Sequence, residues 1–372
     1  MDPQVDPNFD VGVLEFDHAR FPFRDWALSV IREEHPRVAE LELLHEYFSP
    51  SELVQVQRLV QRACGRQSFT DLFDAFLHEY IQPRLGGRRF MVQRFGTMRC
   101  VVPNQEAVGR LLQFHQGIWV GNGWGLRTVW LPFTRCYDTN TIHIVPFTES
   151  RKITRQCYEH HWDHDTLYKE CLRHASPIAI DPGQACLFTQ GHLHGNVNNT
   201  TGITRVSMDL RVLVEGEQCH RKLPGGYFRW PHTTSDATVE SYEGKEFITY
   251  VGWNTAFTRH IPLPMQRLYI EDYCEKRNIE YNDYQFENEY LDWMPALRRF
   301  IAVDRPFGIV MLSIHALPDD EAWRNEILEA AVEHGVELHF CNELMVLRCR
   351  EDIARITETL SFSDDHSTPG PD

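Results

Sequence analysis

A histidine and an arginine in the stretch Gly191–Arg211 carry the strongest chemical content of this sequence. His194 lies eleven positions before Arg205, and from Thr204 onward polar and apolar residues alternate, which predicts a strand. One face of that strand would carry Arg205, Ser207, Asp209 and Arg211, and the other Val206, Met208, Leu210 and Val212. An imidazole is a common metal ligand, and a guanidinium can bind a carboxylate through two parallel hydrogen bonds. The stretch predicts a metal ligand beside an anion-binding strand, although one such pair of residues also arises by chance.

A second metal ligand has two candidate positions. His115-Gln116-Gly117 precedes an apolar stretch at 127–133. His161-Trp162-Asp163 is a literal His-x-Asp triplet, but it lies in the polar run His160–Asp165, which leads into a predicted short helix at 166–173. Both positions stay open from the residues alone.

The elements that position these residues change in type along the chain. Residues 1–90 look mainly helical: Ser49-Pro50-Ser51-Glu52 is a capping box, and the apolar residues after it recur at helical spacing, as they do again at 69–77. From about residue 90, short apolar runs separated by Gly, Pro and Asn predict strands at 89–95, 127–133, 141–146, 178–180 and 185–188. This order favours an antiparallel double-sheet jelly roll.

A second pattern begins after Val214. Residues 216–245 are polar and rich in Gly, Pro and Thr, which predicts a linker or an excursion over the first domain. Helices at 262–278, 290–301 and 319–333 then alternate with extended segments at 279–286, 307–314, 336–340 and 344–347, which is typical of an α/β domain with a largely parallel sheet. We therefore predict an α+β chain with domains at 1–215 and 246–360 and a disordered tail at 361–372.

Length, charge and cysteine content limit the classes of function. A chain of 372 residues is long enough for two domains, and 37 Lys and Arg against 53 Asp and Glu give a net charge of −16. That charge argues against a nucleic-acid polymer or an anionic membrane as partner, but not against a small anion in a local basic pocket. Since the sequence shows no signal peptide, no long apolar run and no CxxC pair among its ten cysteines, we expect a soluble, cytoplasmic protein.

The residues around the histidines resemble a known enzyme family. His115-Gln116-Gly117, Trp130-Leu131-Pro132, Tyr137-Asp138-Thr139-Asn140 and Leu193-His194-Gly195-Asn196 through Arg205 are similar to Fe(II)/2-oxoglutarate oxygenases of sporadic carbohydrate and antibiotic clusters, over about residues 85–215. The resemblance implies a double-stranded β-helix (cupin-like jelly roll) in which an early His-x-carboxylate and a late histidine hold iron. That order favours His115 and His194 as ligands over His161 and Asp163. It assigns Arg205 to 2-oxoglutarate, with Ser207 either a second hydrogen-bonding group or an ordinary strand hydroxyl.

Glycine stands where that family has its carboxylate. Gly117 resembles the halogenase branch, in which Gly or Ala takes this position. Iron has about six coordination positions, of which two histidines and bidentate 2-oxoglutarate fill four. Without the carboxylate, one position and one negative charge are vacated, so chloride can bind and Gly117 marks the predicted halide position. The alternative is that Gly117 satisfies a turn and that Asp or Glu arrives from elsewhere.

The resemblance also implies a reaction and a substrate. The two-domain chain is most similar to nucleotide chlorinases of 2′-chloropentostatin-type nucleoside antibiotic pathways, which act on 2′-deoxyadenosine monophosphate. We therefore expect Fe(II), 2-oxoglutarate, chloride and O2 as cofactors and co-substrates, and chlorination of an unactivated C–H, at C2′. Candidates for phosphate contact are Arg94, Arg99, Arg127, Arg151 and Arg211. A hydroxylase or other 2-oxoglutarate oxidase is the alternative, and a zinc-binding or sugar-binding jelly roll without enzymatic activity is a third.

The second domain resembles small accessory proteins of the same sporadic carbohydrate clusters. The resemblance is carried by Ile261-Pro262-Leu263-Pro264-Met265-Gln266 and Glu337-Leu338-His339-Phe340. This domain has no Gly-rich phosphate loop and no nucleophile elbow in its sequence. We therefore expect a structural role or a homodimer contact from it, with covering of the substrate as the alternative.

Overall fold

The computed structural model describes residues 11–104, 114–219, 222–231, 242, 244–287 and 291–362. This part of the chain divides into two compact units. The first reaches Leu223 and includes Trp230 and Pro231; the second contains Pro224–Arg229 and the chain from 242 to Phe362.

The first unit contains six α-helices in its described part. They are α1 Phe23–Glu34, α2 Leu44–Tyr47, α3 Pro50–Ala63, α4 Gln67–Phe76, α5 Phe147–His160 and α6 His164–His174, with a π-helical turn at Leu77–Ile81 after α4. The predicted capping box at the start of α3 is confirmed, because the Glu52 carboxylate accepts a hydrogen bond from the Ser49 backbone N–H at 2.8 Å. The apolar faces of α1, α3 and α4 share one buried cluster with the strands, which excludes water from one face of the sheet.

The strands of the first unit form two antiparallel sheets. In chain order they are β1 Gly12–Glu15, β2 Phe90–Gln93, β3 Thr97–Val101, β4 Leu126–Pro132, β5 His143–Ile144, β6 Ser176–Pro177, β7 Gln184–Thr189, β8 His194–Gly195 and β9 Arg205–Val214. The larger sheet runs β1-β7-β4-β9-β2, and β3 also pairs with β9. The smaller sheet runs β6-β5-β8. Val206, Met208, Leu210 and Val212 of β9 lie in the helix-covered core, which confirms the predicted alternation along this strand.

Longer apolar runs were predicted well and shorter ones were not. β2, β4, β7 and β9 lie at the predicted places. The predicted strand at 141–146 is wrong in length, since only His143–Ile144 pairs, and that at 178–180 is wrong, since only an isolated bridge joins Ile180 to Cys136. β1, β3 and α5 were not predicted. The jelly roll itself stays a prediction. The two antiparallel sheets of the described residues are consistent with it.

The second unit is an α/β layer. Its strands are β10 Phe228–Arg229, β11 Phe247–Val251, β12 Tyr281–Phe286, β13 Gly308–Met311, β14 Glu337–Phe340 and β15 Met345–Leu347, and its helices are α7 Leu263–Arg277, α8 Pro295–Arg299, α9 Glu321–His334 and α10 Arg350–Leu360. β12, β11, β13 and β14 pair in parallel in that order, and β15 adds antiparallel to β14. The predicted, largely parallel sheet is confirmed. The helix predicted at 290–301 begins too early, because α8 starts at Pro295 and is followed by a π-helical turn at Phe300–Asp304; residue 290 is outside the described part.

Two predicted segments fall partly outside the described residues. Of the predicted linker, 220–221, 232–241 and 243 are not described, and of the predicted tail, 363–372 are not described. In the described chain, no helix is both long and apolar enough to cross a membrane.

Candidate metal and co-substrate site

His115 and His194 lie side by side although 79 positions separate them. An isolated antiparallel bridge joins them, with backbone hydrogen bonds of 3.0 Å from His115 N to His194 O and 3.1 Å in the reverse direction. Their ring centroids are 4.4 Å apart, with an angle of 48° between the ring planes. The two imidazoles therefore reach the same small volume, as two ligands of one metal must.

The imidazole of His194 is prepared to act as a ligand. Its Nδ1 lies 3.0 Å from the backbone oxygen of His192. Because a carbonyl can only accept, Nδ1 carries the proton and Nε2 keeps the lone pair that binds a metal. Burial, and then the neighbouring His115, hold the pKa of His194 well below its usual range, so the ring stays neutral. A backbone carbonyl in this role is a common partner of a metal-binding histidine.

Arg205 and Ser207 form a buried polar surface on β9. The Arg205 side chain is only 1% exposed, and its Nη1 donates to Asn196 Oδ1 at 2.8 Å. In the described chain, Arg205 Nε and Ser207 Oγ are both buried without a hydrogen-bond partner. Burial lowers the pKa of Arg205, but an arginine remains protonated in proteins. A buried cation and hydroxyl left incomplete in this way are costly unless a ligand completes them, and the carboxylate of 2-oxoglutarate fits that need.

One pocket brings His115, His194 and Arg205 together, whereas Ser207 does not line it. Its lining combines the two histidines, Arg205 and its partner Asn196, three further charged residues and an apolar wall; the residues are Arg99, His115, Thr128, Trp130, Ile142, Phe188, His194, Gly195, Asn196, Arg205, Asp209 and Arg211. The Arg205 guanidinium also lies over the Trp130 ring, 6.0 Å from its centroid. The pocket can hold a metal and a carboxylate co-substrate next to each other.

The charge of the pocket lining is positive. Asp209 Oδ1 is 2.5 Å from Arg211 Nη1, and its Oδ2 is 3.4 Å from Arg99 Nε. The single carboxylate of Asp209 is thus shared between two guanidiniums, and Arg205 adds a third. The lining favours anions.

Gly117 is closely packed at the start of the short 3-10 helix Gly117–Val120. A Cβ at this position would lie 1.9 Å from Gln190 Oε1 and 3.0 Å from Asn122 Nδ2, whereas the backbone of Gly117 is not in the left-handed region. The close contact with Gln190 is therefore a reason for glycine that neither the halide prediction nor the turn alternative included. Gly117 is buried next to Gln190 and does not itself line the pocket.

The competing triplet lies elsewhere on the surface. His161 ends α5 with a positive φ of 51°, and Asp163 caps α6 by accepting a hydrogen bond from Thr166 N at 2.8 Å. Both side chains are exposed, and neither lines the pocket. No group of three or more His, Cys, Asp and Glu side chains is arranged to hold a metal within the described ranges.

The five candidate arginines separate into two groups. Arg99 and Arg211 line the pocket, whereas Arg94, Arg127 and Arg151 do not. Arg127 is buried and donates to the backbone oxygens of Gly125 and Leu126. Of the five predicted phosphate contacts, only Arg99 and Arg211 therefore line this pocket.

Three neighbours of the site were not singled out from the sequence. Period-two spacing on extended chain could have indicated two of them. Asn196 lies two residues after His194, and Asp209 lies four residues after Arg205. Gln190 has no comparable sequence signal, because its contact with Gly117 joins two segments distant in the chain.

Comparison with known proteins gives structural likeness alone. No protein-family model matches the chain, and no curated protein matches it. Apo EctD from S. alaskensis aligns with 57% of this chain and 75% of its own, at 13% identity and a TM-score of 0.33. The non-heme monooxygenase ThoJ in its Ni complex aligns over 60% and 86%, at 15% and 0.31. The non-heme alpha ketoglutarate dependent epimerase SnoN from nogalamycin biosynthesis aligns over 56% and 80%, at 11% and 0.34. At these identities and TM-scores, the alignments assign neither an activity nor a substrate to this chain.

Proposed function

We propose that this chain is an Fe(II)/2-oxoglutarate-dependent halogenase. The observation that carries the proposal is the paired His115 and His194 in one pocket with the incompletely bonded Arg205. Two imidazoles suit Fe(II), and a buried guanidinium beside a buried hydroxyl suits a carboxylate.

Each residue has a defined part in this proposal. His115 and His194 hold the iron, with Nε2 of His194 as ligand atom because its Nδ1 proton is bound to His192. Arg205 and Ser207 hold the far carboxylate of 2-oxoglutarate, while Asn196 fixes the guanidinium by its 2.8 Å hydrogen bond. Once bound, Fe(II) with 2-oxoglutarate, O2 and chloride supplies the oxidation that replaces an unactivated C–H by C–Cl. The protein's share is to hold these groups and to position the substrate.

Halogenation is favoured over hydroxylation by the residue at 117. Gly117 brings no carboxylate to the pair of histidines, which leaves a ligand position at which chloride can supply the corresponding negative charge. The positive lining around Asp209, Arg99 and Arg211 supports the binding of anions.

A phosphorylated deoxynucleoside is the proposed substrate, most specifically 2′-deoxyadenosine 5′-monophosphate, with chlorination at C2′. Arg99 and Arg211 support it, because both line the pocket and charged hydrogen bonds from arginine suit a phosphate. Trp130 and Phe188 add aromatic surface to the same lining.

The test is a mass-spectrometric screen of nucleosides and nucleotides with Fe(II), 2-oxoglutarate and either chloride or bromide. The proposal expects a product in which halogen replaces hydrogen, whose mass changes with the halide supplied. A product that gains oxygen under both conditions would contradict halogenation while keeping the iron site.

Hydroxylation is the second candidate, and one observation favours it. Gln190 gives a steric reason for glycine at 117 that is independent of halide. Asp209 also brings a carboxylate into the pocket, although both of its oxygens are engaged by arginines.

We further propose that the second unit forms a homodimer contact. Met265, Leu268 and Tyr269 are exposed at helical spacing on α7, and Tyr281 and Phe286 are exposed on β12, at an edge of the sheet. Exposed apolar side chains next to an open strand edge suit a second copy of the same surface.

A further inference from the structure

Four side chains form a continuous hydrogen-bonded chain that ends at the pocket, and we call it the donor chain: Lys222, Asn122, Gln190 and Thr128. Lys222 Nζ lies 2.5 Å from Asn122 Oδ1, Asn122 Nδ2 lies 2.7 Å from Gln190 Oε1, and Gln190 Nε2 lies 2.8 Å from Thr128 Oγ1. Asn122, Gln190 and Thr128 are buried, and Lys222 is half-buried. Of these four residues, Thr128 alone lines the pocket that contains His115 and His194.

The direction of every bond in the donor chain is fixed by the lysine. An ammonium group can only donate, so Asn122 must turn its oxygen towards Lys222 and its nitrogen towards Gln190. Gln190 must then accept with its oxygen and donate with its nitrogen to the Thr128 hydroxyl. The amide nitrogen and oxygen of Asn122 and Gln190 are thus assigned from their hydrogen-bond partners.

The hydroxyl proton of Thr128 is consequently turned away from Gln190. In the described chain, Gln190 is the hydrogen-bond partner of Thr128 Oγ1, and it occupies that oxygen as a donor. The remaining proton is available to the pocket that Thr128 lines. We infer that the Thr128 hydroxyl donates a hydrogen bond to an anion bound beside His115 and His194, and that Lys222 polarises this donor through Asn122 and Gln190.

An anion suits this position for two reasons. Each donor in the chain points away from the Lys222 cation and towards the pocket, so the positive end of every dipole faces the ligand. Arg211 adds a second cation that lines the pocket itself and lies close enough to influence Lys222. Chloride and a carboxylate of 2-oxoglutarate share the chemistry that this donor recognises, and both belong to the proposed function on which the inference rests.

A purely structural role makes a different prediction. Gln190 fills the space over Gly117, so the donor chain could simply hold that contact. In that case, loss of the Thr128 hydroxyl would lower the free energy of unfolding and leave anion affinity unchanged.

The experiment compares Thr128→Val, which keeps the side-chain shape, with Thr128→Ser, which keeps the hydroxyl. Thr141→Val is the matched control, because the Thr141 hydroxyl is also buried but donates to the backbone oxygen of Ile178. Lys222→Met removes the cation, and Lys152→Met on the exposed part of α5 is its control. Chloride and 2-oxoglutarate are titrated separately into the anaerobic Fe(II) protein and followed by absorbance. Bromide and 2-oxoglutarate are also titrated into the metal-free protein by calorimetry.

We expect Thr128→Val to lower the affinity for one of the two anions by about tenfold or more, since a hydrogen bond to a charged group is lost. Thr128→Ser should bind that anion with the affinity of the wild type. Lys222→Met should lower the affinity for the same anion by less than Thr128→Val does, and both control variants should keep the wild-type affinities. An effect on halide alone identifies the halide as the ligand, and an effect on 2-oxoglutarate alone identifies the carboxylate.

Unchanged affinities for both anions in Thr128→Val would overturn the inference, as would equal losses in Thr128→Val and Thr128→Ser. If the wild type gives no Fe(II) or 2-oxoglutarate signal, the proposed function fails. The calorimetric comparison of bromide binding to the metal-free wild type and Thr128→Val then decides the Thr128 inference by itself, and absence of any anion binding in both forms overturns it.

Discussion

Replacing Gly117 by alanine or aspartate distinguishes two reasons for glycine at this position: close packing against Gln190 and a halide ligand in place of a carboxylate. The alanine Cβ would lie 1.9 Å from Oε1 and 2.8 Å from Cδ of Gln190. Gln190 is 1% exposed and is held by Asn122 and Thr128, so it can move only by giving up those hydrogen bonds. We expect Gly117→Ala to lower the free energy of unfolding by about 1–3 kcal/mol, the usual cost of overpacking a buried site.

Gln190→Ala is the background that isolates this contact. By itself it should cost about 1–3 kcal/mol, because a buried donor and acceptor lose their partners. In that background, Gly117→Ala should cost less than about 1 kcal/mol, since the obstructing amide is gone. The four free energies are measured by urea denaturation, with spectra confirming a folded state in each variant. The same cost for Gly117→Ala in both backgrounds would refute the close contact.

The halide role is tested on the same pair of backgrounds. Gln190→Ala removes the obstructing amide for alanine and aspartate at 117 alike, but only aspartate adds a negative charge. The account expects chlorination to persist with alanine and to be lost with aspartate, measured as product mass at saturating chloride because Gln190→Ala also interrupts the donor chain. Equal chlorination by the two variants would mean that Gly117 does not mark the halide position.

Further predictions concern the charged residues and the second unit. Arg205→Lys keeps the charge but loses the planar fork, so it should raise the half-saturating 2-oxoglutarate concentration by about tenfold or more while iron affinity stays the same; equal losses of both would mean that Arg205 supports the fold. Arg99→Met should reduce the ratio of kcat/KM between nucleotide and free nucleoside, and an unchanged ratio would put the phosphate elsewhere. Burial, and then Arg211, lower the pKa of Lys222 to about 8, while Asp209 opposes them. Because Lys222 loses its charge in this range, the affinity for chloride should fall as the pH rises from about 7 to about 9. This fall should be absent in Lys222→Met, and its persistence there would assign it to another group. Leu268→Glu should give a monomer by light scattering with activity retained, whereas an unchanged wild-type dimer would place the contact elsewhere.

The sequence predicts the polar face of β9 because strand alternation is a local property. Once the strand from Thr204 is recognised, Arg205, Ser207 and Asp209 must share a face, and Arg205 and Asp209 do line the same pocket. The proximity of His115 to His194 is not a local property of the sequence, since it arises from the pairing of two distant segments. That juxtaposition could be expected from resemblance but not from spacing.

Other features lacked a sequence signal for identifiable reasons. α5 has only Ser150 and Ile153 buried, so its apolar stripe is too sparse to predict a helix of fourteen residues. β3 is only five residues long and has one buried side chain, Met98, so its apolar signal is weak. The packing of Gln190 over Gly117 depends on one side-chain conformation, which no periodicity encodes.

The pairing of His115 with His194 is tested most directly by absorbance of the anaerobic protein with Fe(II) and 2-oxoglutarate. The account predicts a charge-transfer band in the wild type and in His161→Ala, and its loss in His115→Ala and in His194→Ala, each shown to be folded. A band that survives in His194→Ala and disappears in His161→Ala would contradict the account.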